Sequence, residues 1–325
     1  MGKKIALGLS GGVDSAAAAI LLKKAGWQPV GVYLKLGHGS SRSARGICKK
    51  LGIPFCEYDV SGDFKKEVIG YFLSELRKAR TPNPCAMCNR RLKFLKLFEF
   101  AKKKGIDYVA TGHYAKIRNG ELLMPKDLKK DQTYGLCFLK KEWLKKIVFP
   151  LGNYTKGEVY KIAKGLGIMK SEESQDLCFA DNVPEYIEDN LGRKPGLIKD
   201  GEGRTLGRHE GLHFYTIGQK KGLNLPGSYY VKEFDVKNNQ LIVTKNKNEI
   251  SRKEIVLYPF NLLSAVRAKE RVMAKVRYRQ ELSSATLQKG KKLKVVFNKP
   301  QYSVTPGQFC VFYKGNVCLG GGAIC

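Results

Sequence analysis

The chain has 325 residues, enough to bury more than one core, so two or three domains are expected. Charged residues make up 27% and apolar residues 43%, as in soluble globular proteins. Lys plus Arg number 59 against 29 Asp plus Glu, a net charge of +30; an enzyme of small metabolites has no use for that excess, whereas a nucleic acid partner does, because each neutralised phosphate releases counterions.

The N-terminus "MGKKIALGLSGG" runs straight into a strand-like stretch, so no signal or transit peptide is expected, and it lacks the Ser/Thr of a myristoylation site. "KKIALGL" predicts a short buried strand and "VDSAAAAILLKKAG" a helix stopped by Gly26. Between them, Gly8, Leu9, Ser10, Gly11, Gly12, Val13, Asp14 and Ser15 make a strand-to-helix turn. Gly11 and Gly12 permit a tight turn and a close ligand approach. Amides at the helix start suit phosphate oxygens, Ser10 and Ser15 add hydroxyls, and Asp14 is placed to orient Mg²⁺ on those phosphates. There is no Gly-Lys-Ser/Thr, so this is not a Walker loop.

A second strand, "QPVGVYLKL", precedes an expected Gly/Ser/Arg-rich loop, "GHGSSRSARG". "ICKKLG", a strand "PFCEYDV" and a helix "FKKEVIGYFLSELRKA" continue the alternation. "TPNPCAMCNRR" reads as a loop stiffened by Pro82 and Pro84 that carries Cys85 and Cys88, with Arg90 and Arg91 near enough to shape a thiol pKa. A helix over "RRLKFLKLFEFAKKKG" and a strand "DYVATGHY" follow. Strands alternating with helices predict a parallel sheet covered on both faces.

"TKGEVYKIAKGLG" predicts a helix with Thr155 as N-cap and Glu158 completing a capping box. Cys178 follows the polar, flexible-looking stretch in "KSEESQDLCFA"; alone, it reads as one more buried cysteine. From about Gly192, Gly-rich turns and short alternating runs predict β structure. In "RVMAKVRYR", Val272, Ala274, Val276 and Tyr278 share one face and Arg271, Lys275, Arg277 and Arg279 the other, expected to be solvated. With "KKLKVVF" it predicts a basic wall of a small barrel. Nine cysteines, an odd count with no secretory signal, predict a reduced, cytoplasmic protein, with Cys56 and Cys310 as inert core. No apolar run reaches a membrane span, so no membrane partner is expected.

SGGVDS resembles the phosphate loop of ATP pyrophosphatases. "TPNPCAMCN" and "ESQDLCF", with "ATGHYA", "KDQTYGL", "FPLGNYTKGEV", "GLHFYTIGQKKGL", "VRYRQ" and "VTPGQFCVFYKGNVCLGGGAI", resemble the tRNA-specific 2-thiouridylase family nearly end to end. The resemblance implies an α/β, Rossmann-like (HUP-type) ATP pyrophosphatase domain over residues 1–180, a small central domain over 181–250 and a tRNA-contacting C-terminal β-barrel over 251–325. It implies an ATP-dependent sulfurtransferase. ATP adenylates the C2 oxygen of the wobble uridine in a tRNA anticodon loop, and sulfur then displaces AMP. The base leaves its stack to react, at less cost in a loop than in a duplex.

Carried over by matching motif, Cys178 is the persulfide carrier and Cys88 its partner thiol, able to form a transient disulfide. Residues Gly8 to Ser15 bind ATP, with Leu34 and Gly112 at the adenosine end. Asn83, Pro84 and Cys85 flank the target base; His113, Lys130, Asp131, Gln132, Arg277, Tyr278 and Gln308 touch tRNA. The cofactors implied are ATP and Mg²⁺, and the partners are tRNA and a sulfur donor, a cysteine desulfurase or relay protein. Two features depart from the pattern. Cys85 stands where most members have Asp, so an acid–base role does not carry over. Cys85, Cys88 and Cys178 thereby offer a second route, three ligands of a [4Fe–4S] cluster, beside the persulfide route. The short "KLGHGSSRSARG" replaces a longer acidic and polar insertion. Another ATP pyrophosphatase, such as a lysidine synthetase, remains the rival; it requires neither Cys88 nor Cys178.

Overall fold

A computed structural model describes residues 2–165, 167 and 177–325. Most of the polar stretch before Cys178, residues 168–176, lies outside the described residues.

The N-terminal half is built on a five-stranded parallel sheet. Its strands are β1 (Lys4–Gly8), β2 (Gln28–Lys35), β3 (Phe55–Asp59) and β4 (Tyr108–Thr111), in the order β3-β2-β1-β4, with the short strand Ile147–Val148 beyond β4. β1 sits centrally: Ile5 pairs with Pro29 on one side and Tyr108 on the other. Strand order reverses between β1 and β4, the place where open α/β sheets leave a ligand crevice at their carboxyl ends. Helix α1 (Val13–Lys24) buries Ala16 to Ala19 completely, and the small side chains let it sit close between the sheet and helix Lys156–Lys164. On the opposite face Phe94, Leu97 and Phe100 pack against Ala6, Val32 and Val109.

Two expected loops are partly helical. Helix α2 (Arg42–Leu51) takes in the second half of the Gly/Ser/Arg-rich stretch, because Ala44, Ile47 and Cys48 fall on one buried stripe. The "TPNPCAMCNRR" segment is a helix start. Asn83 accepts a hydrogen bond from the Ala86 amide at 3.2 Å, Pro84 takes the first helical position, and the helix runs through a π turn, Asn89–Lys93, to Lys103. Pro84 therefore starts the helix instead of stiffening a loop. The Thr155–Glu158 capping box forms as predicted.

Residues Gly196–Lys199, Thr205–His209, Tyr230–Asp235 and Gln240–Thr244 form a separate four-stranded sheet around Ile198, Val231 and Leu241. From Ser251, six strands close into a barrel when Ser251–Leu262 pairs with Val317–Ile324. Gly322 makes the closure: a Cβ there would lie 2.7 Å from that of Leu257. The barrel is tied to the α/β domain. The Tyr134 hydroxyl donates to the Phe309 carbonyl at 2.8 Å, and the Asn261 amide donates to the Cys137 and Leu139 carbonyls. This docking corrects one expectation. Lys275 ends its strand buried, paired with Asp131 at 3.2 Å, instead of joining a solvated basic face, because the α/β domain covers that end of the barrel. Tyr278, expected to share the buried face, is exposed because the strand stops at Lys275 and the chain turns. Cys310 is fully buried as expected, but Cys56 is only half-buried.

Candidate active site

The loop from Gly8 to Ser15 leaves β1 at the crevice between β1 and β4. Gly11 has φ +91°, and a Cβ there would lie 2.8 Å from that of Ser43 at the start of α2, so only glycine fits. Gly12 caps α1 with no side-chain hydrogen bond, which leaves the first-turn amides without an intrahelical acceptor and open to an anion. The Ser15 hydroxyl donates to the Gly12 carbonyl at 2.9 Å. Gly112, just past β4, lies against the first turn of α1; a Cβ there would be 3.0 Å from the Ser15 nitrogen. Leu34, one residue before the end of β2, is half-buried against the same core as Tyr58 and Val60.

Asp14 is already held. Lys156 Nζ lies 2.7 and 2.8 Å from its two oxygens, and the Tyr114 hydroxyl donates to it at 2.9 Å. Its carboxylate is thus ion-paired and hydrogen-bonded within the protein at the start of α1. Lys156 was missed in the sequence; its place at the first position of a capped helix is the only local signal.

From Gly112 the chain leads into the thiols. The next residue, His113, is bound through Nδ1 to the Thr111 hydroxyl at 2.7 Å and stacked on Phe94. Burial, helped by the nearby Lys93 cation, holds its pKa down at about 3, so the ring is neutral. Lys93 in turn faces three sulfurs. Its own pKa is raised, first by Cys88 and then by Cys85 and Cys178, against the burial that opposes the charge. Cys88, 4% exposed, is pushed up to about 11 by burial, with Lys93 pulling it down and Cys178 and Cys85 adding to the rise. Cys178 is an exposed residue, yet partial desolvation raises its thiol too, with Lys93 opposing and Cys85 adding. The Lys93 charge is thus felt by Cys85, Cys88 and Cys178 and by His113, the residue that follows Gly112 beside the phosphate loop. The π turn carries Lys93 five residues past Cys88 on the same helix.

Lys93 replaces the arginines expected to play its part. Arg90 donates to the Phe138 carbonyl at 2.7 Å, and Arg91 stacks over Tyr71 near Glu67. Phe179 anchors the Cys178 turn by edge contacts with Phe64, Phe72 and Tyr186. Among the described residues no group of three or more His, Cys, Asp and Glu side chains is gathered closely enough to hold a metal ion.

The residues expected to touch tRNA divide. Arg277 and Tyr278 are exposed and Lys130 is half-buried; Cys85 contributes to the raised pKa of Tyr278 after burial and Asp131. Arg277 donates to the Ser303 carbonyl at 2.7 Å. Asp131 is buried with Lys275 and Thr133, and the Gln132 side-chain oxygen Oε1 accepts from the Tyr114 backbone amide at 2.7 Å. The Gln308 amide donates to the Thr81 and Pro82 carbonyls, so it braces the segment leading to Asn83 and Pro84. His113, Asp131, Gln132 and Gln308 make contacts within the protein, Lys130 is half-buried, and Arg277 and Tyr278 are exposed.

Comparison with known proteins covers nearly the whole chain. Residues 3–182 match a tRNA methyl transferase HUP domain, 184–245 a tRNA methyl transferase PRC-barrel domain and 252–324 an aminomethyltransferase beta-barrel domain. The protein is 40% identical over 357 residues to the tRNA-specific 2-thiouridylase MnmA of Acetivibrio thermocellus, covering 99% of each chain. It is 36% identical to that of Clostridioides difficile, covering 100% of this chain and 98% of the relative. The aligned length exceeds 325 residues, so the relatives carry segments that this chain lacks. Among solved structures, a 4-thiouridine synthetase–RNA complex with bound ATP is 20% identical, with a TM-score of 0.38 over 58% of this chain and 50% of that one.

Proposed function

The chain belongs to the tRNA-specific 2-thiouridylase family, and on that premise we propose that it converts the wobble uridine of tRNA to 2-thiouridine at the expense of ATP. The observation that carries this reading is the meeting of three mutually interacting thiols with one lysine, connected through His113 and Gly112 to an open helix start. The amides of Val13 to Ser15 hold the ATP phosphates, and Lys156 keeps Asp14 from repelling them. Mg²⁺ enters with the nucleotide. The uridine C2 oxygen attacks the α-phosphorus and pyrophosphate leaves. Uracil oxygen is a poor leaving group, and adenylation makes it a good one.

Cys178 carries the sulfur as a persulfide, received at its exposed turn from a cysteine desulfurase or relay protein. A thiol of the Pro84–Lys103 helix frees that sulfur for the pyrimidine. Lys93 favours the thiolate form, which is the reactive one. Asn83, Pro84 and Cys85 border the base, while Lys130, Arg277 and Tyr278 meet the surrounding phosphates and bases. The net charge of +30 suits a polyanionic substrate.

The test incubates the protein with unmodified tRNA, ATP, Mg²⁺ and a desulfurase with cysteine, then measures nucleosides by mass spectrometry. One AMP and one pyrophosphate are expected per 2-thiouridine. ATP turnover that yields lysidine, or no thionucleoside at all, rejects the reading.

A further inference from the structure

The two cysteines of "PCAMC" stand in a relation the thiolation chemistry does not by itself require. Asn83 caps the helix, Pro84 occupies its first position, and Cys85 follows at the second, exposed. Cys88 lies three residues on, one turn deeper, 4% exposed among Val68, Leu92 and Phe64. An exposed thiol at a helix start with a buried one a turn later is the arrangement of a dithiol that attacks with the first sulfur and resolves with the second. The inner one is shielded from any substrate and, pushed up to about 11, is mostly protonated at neutral pH. Cys178 is exposed like Cys85 and interacts with it.

Resting on the thiolation reading, we propose that Cys85 is the thiol that frees sulfur from Cys178 and that Cys88 then resolves the resulting disulfide. The steps balance. The terminal sulfur of the Cys178 persulfide bonds to uridine C2 and AMP departs with the oxygen. The Cys85 thiolate attacks Cys178 Sγ; the Cys178–sulfur bond breaks, and its electron pair leaves on the 2-thiouridine. Cys85 and Cys178 are now a disulfide. The Cys88 thiol loses its proton to solvent and attacks Cys85 Sγ, and Cys178 leaves as thiolate, ready to be loaded again. The two-electron oxidation ends in a Cys85–Cys88 disulfide, which an external dithiol reductant reopens. Cys88, to which the resemblance gives the first contact with the carrier, acts second because of its depth.

The test loads the full-length protein with sulfur from a cysteine desulfurase and removes the reductant. It then adds tRNA and ATP for one turnover, quenches in acid, alkylates and maps disulfides by mass spectrometry. The wild type is expected to end with Cys85 linked to Cys88. Cys88→Ala is expected to trap Cys85 linked to Cys178, and Cys85→Ala to lose at least about tenfold in single-turnover yield, since the remaining thiol is both buried and protonated. A Cys88–Cys178 link in the wild type, or undiminished yield in Cys85→Ala, overturns the proposal. A parallel arm omits tRNA and measures hydrosulfide released from loaded protein, because the same attack on Cys178 Sγ expels it. If 2-thiouridine never forms but the wild type still ends with Cys85–Cys88 linked in this arm, the function assignment fails while the relay stands. A Cys88–Cys178 link there overturns the relay alone.

Discussion

Two helix starts in the same domain are built in opposite ways. At Val13 the cap is glycine, and no side chain closes the turn over the first amides. At Pro84 the cap is Asn83, its side-chain oxygen Oδ1 accepts from the Ala86 amide, and proline removes another donor. The first start leaves backbone polarity open for a ligand. The second satisfies its own backbone and presents side chains, two of them thiols. The contrast divides the labour: one helix binds through its main chain, and the other reacts through its cysteines.

The largest effects should come from separating these roles. Cys178→Ala is expected to lower single-turnover thiolation by more than about a thousandfold, as loss of an obligatory covalent carrier does. ATP binding, measured by calorimetry, should stay within error. If ATP affinity falls along with the chemistry, the two starts are not independent. The reverse variant is Gly11→Ala. It forces a left-handed φ on alanine and drives a methyl into Ser43, a strain of about 1–3 kcal/mol. ATP affinity should drop by about ten- to a hundredfold, while persulfide loading of Cys178, read by mass shift, proceeds.

How much of this contrast was legible in the sequence follows from what each start is made of. The phosphate loop is local: strand, SGGVDS and helix are contiguous, so its backbone role could be read directly. The parallel sheet and the Thr155–Glu158 capping box were legible for the same reason. The thiol site is assembled from afar. Proline and asparagine in "TPNPC" read equally as loop or helix start, and only burial of Ala86, Met87 and Cys88 decides for helix. Lys93 was passed over for Arg90 and Arg91, because a π turn shifts which side chain returns toward Cys88 and no spacing rule marks that turn. Lys275 looked solvated because alternation along a strand says nothing of a second domain docking on its outer face.

Lys93 gives a sharper test of the reactive start. It opposes the rise in the thiol pKa of Cys88 and Cys178, so removing its charge lets both rise further. Less thiolate is then present at neutral pH. Lys93→Met is expected to slow single-turnover thiolation about tenfold at neutral pH, the effect of one nearby opposite charge. The rise of rate with pH should move to higher pH, and Lys93→Arg should restore part of it. A uniform loss at every pH would mean that Lys93 shapes the helix and does not tune the sulfurs.

The smallest expected effect tests the caps themselves. Asn83→Ala removes the acceptor for the Ala86 amide and should cost about 1 kcal/mol of stability in denaturant unfolding. The opposite change, Gly12→Asp, adds a cap where there is none. A Cβ at Gly12 meets only the Ser10 hydroxyl, at 3.7 Å, and φ there is −83°, so the aspartate fits without backbone strain. It should stabilise the fold by a few tenths of a kcal/mol, roughly the usual gain over glycine at a cap. ATP binding should nevertheless weaken, because the new carboxylate takes the amides and repels the phosphates. A gain in stability with a loss of ligand is the signature of a helix start left open for binding. If Gly12→Asp keeps its ATP affinity, those amides are not the phosphate site.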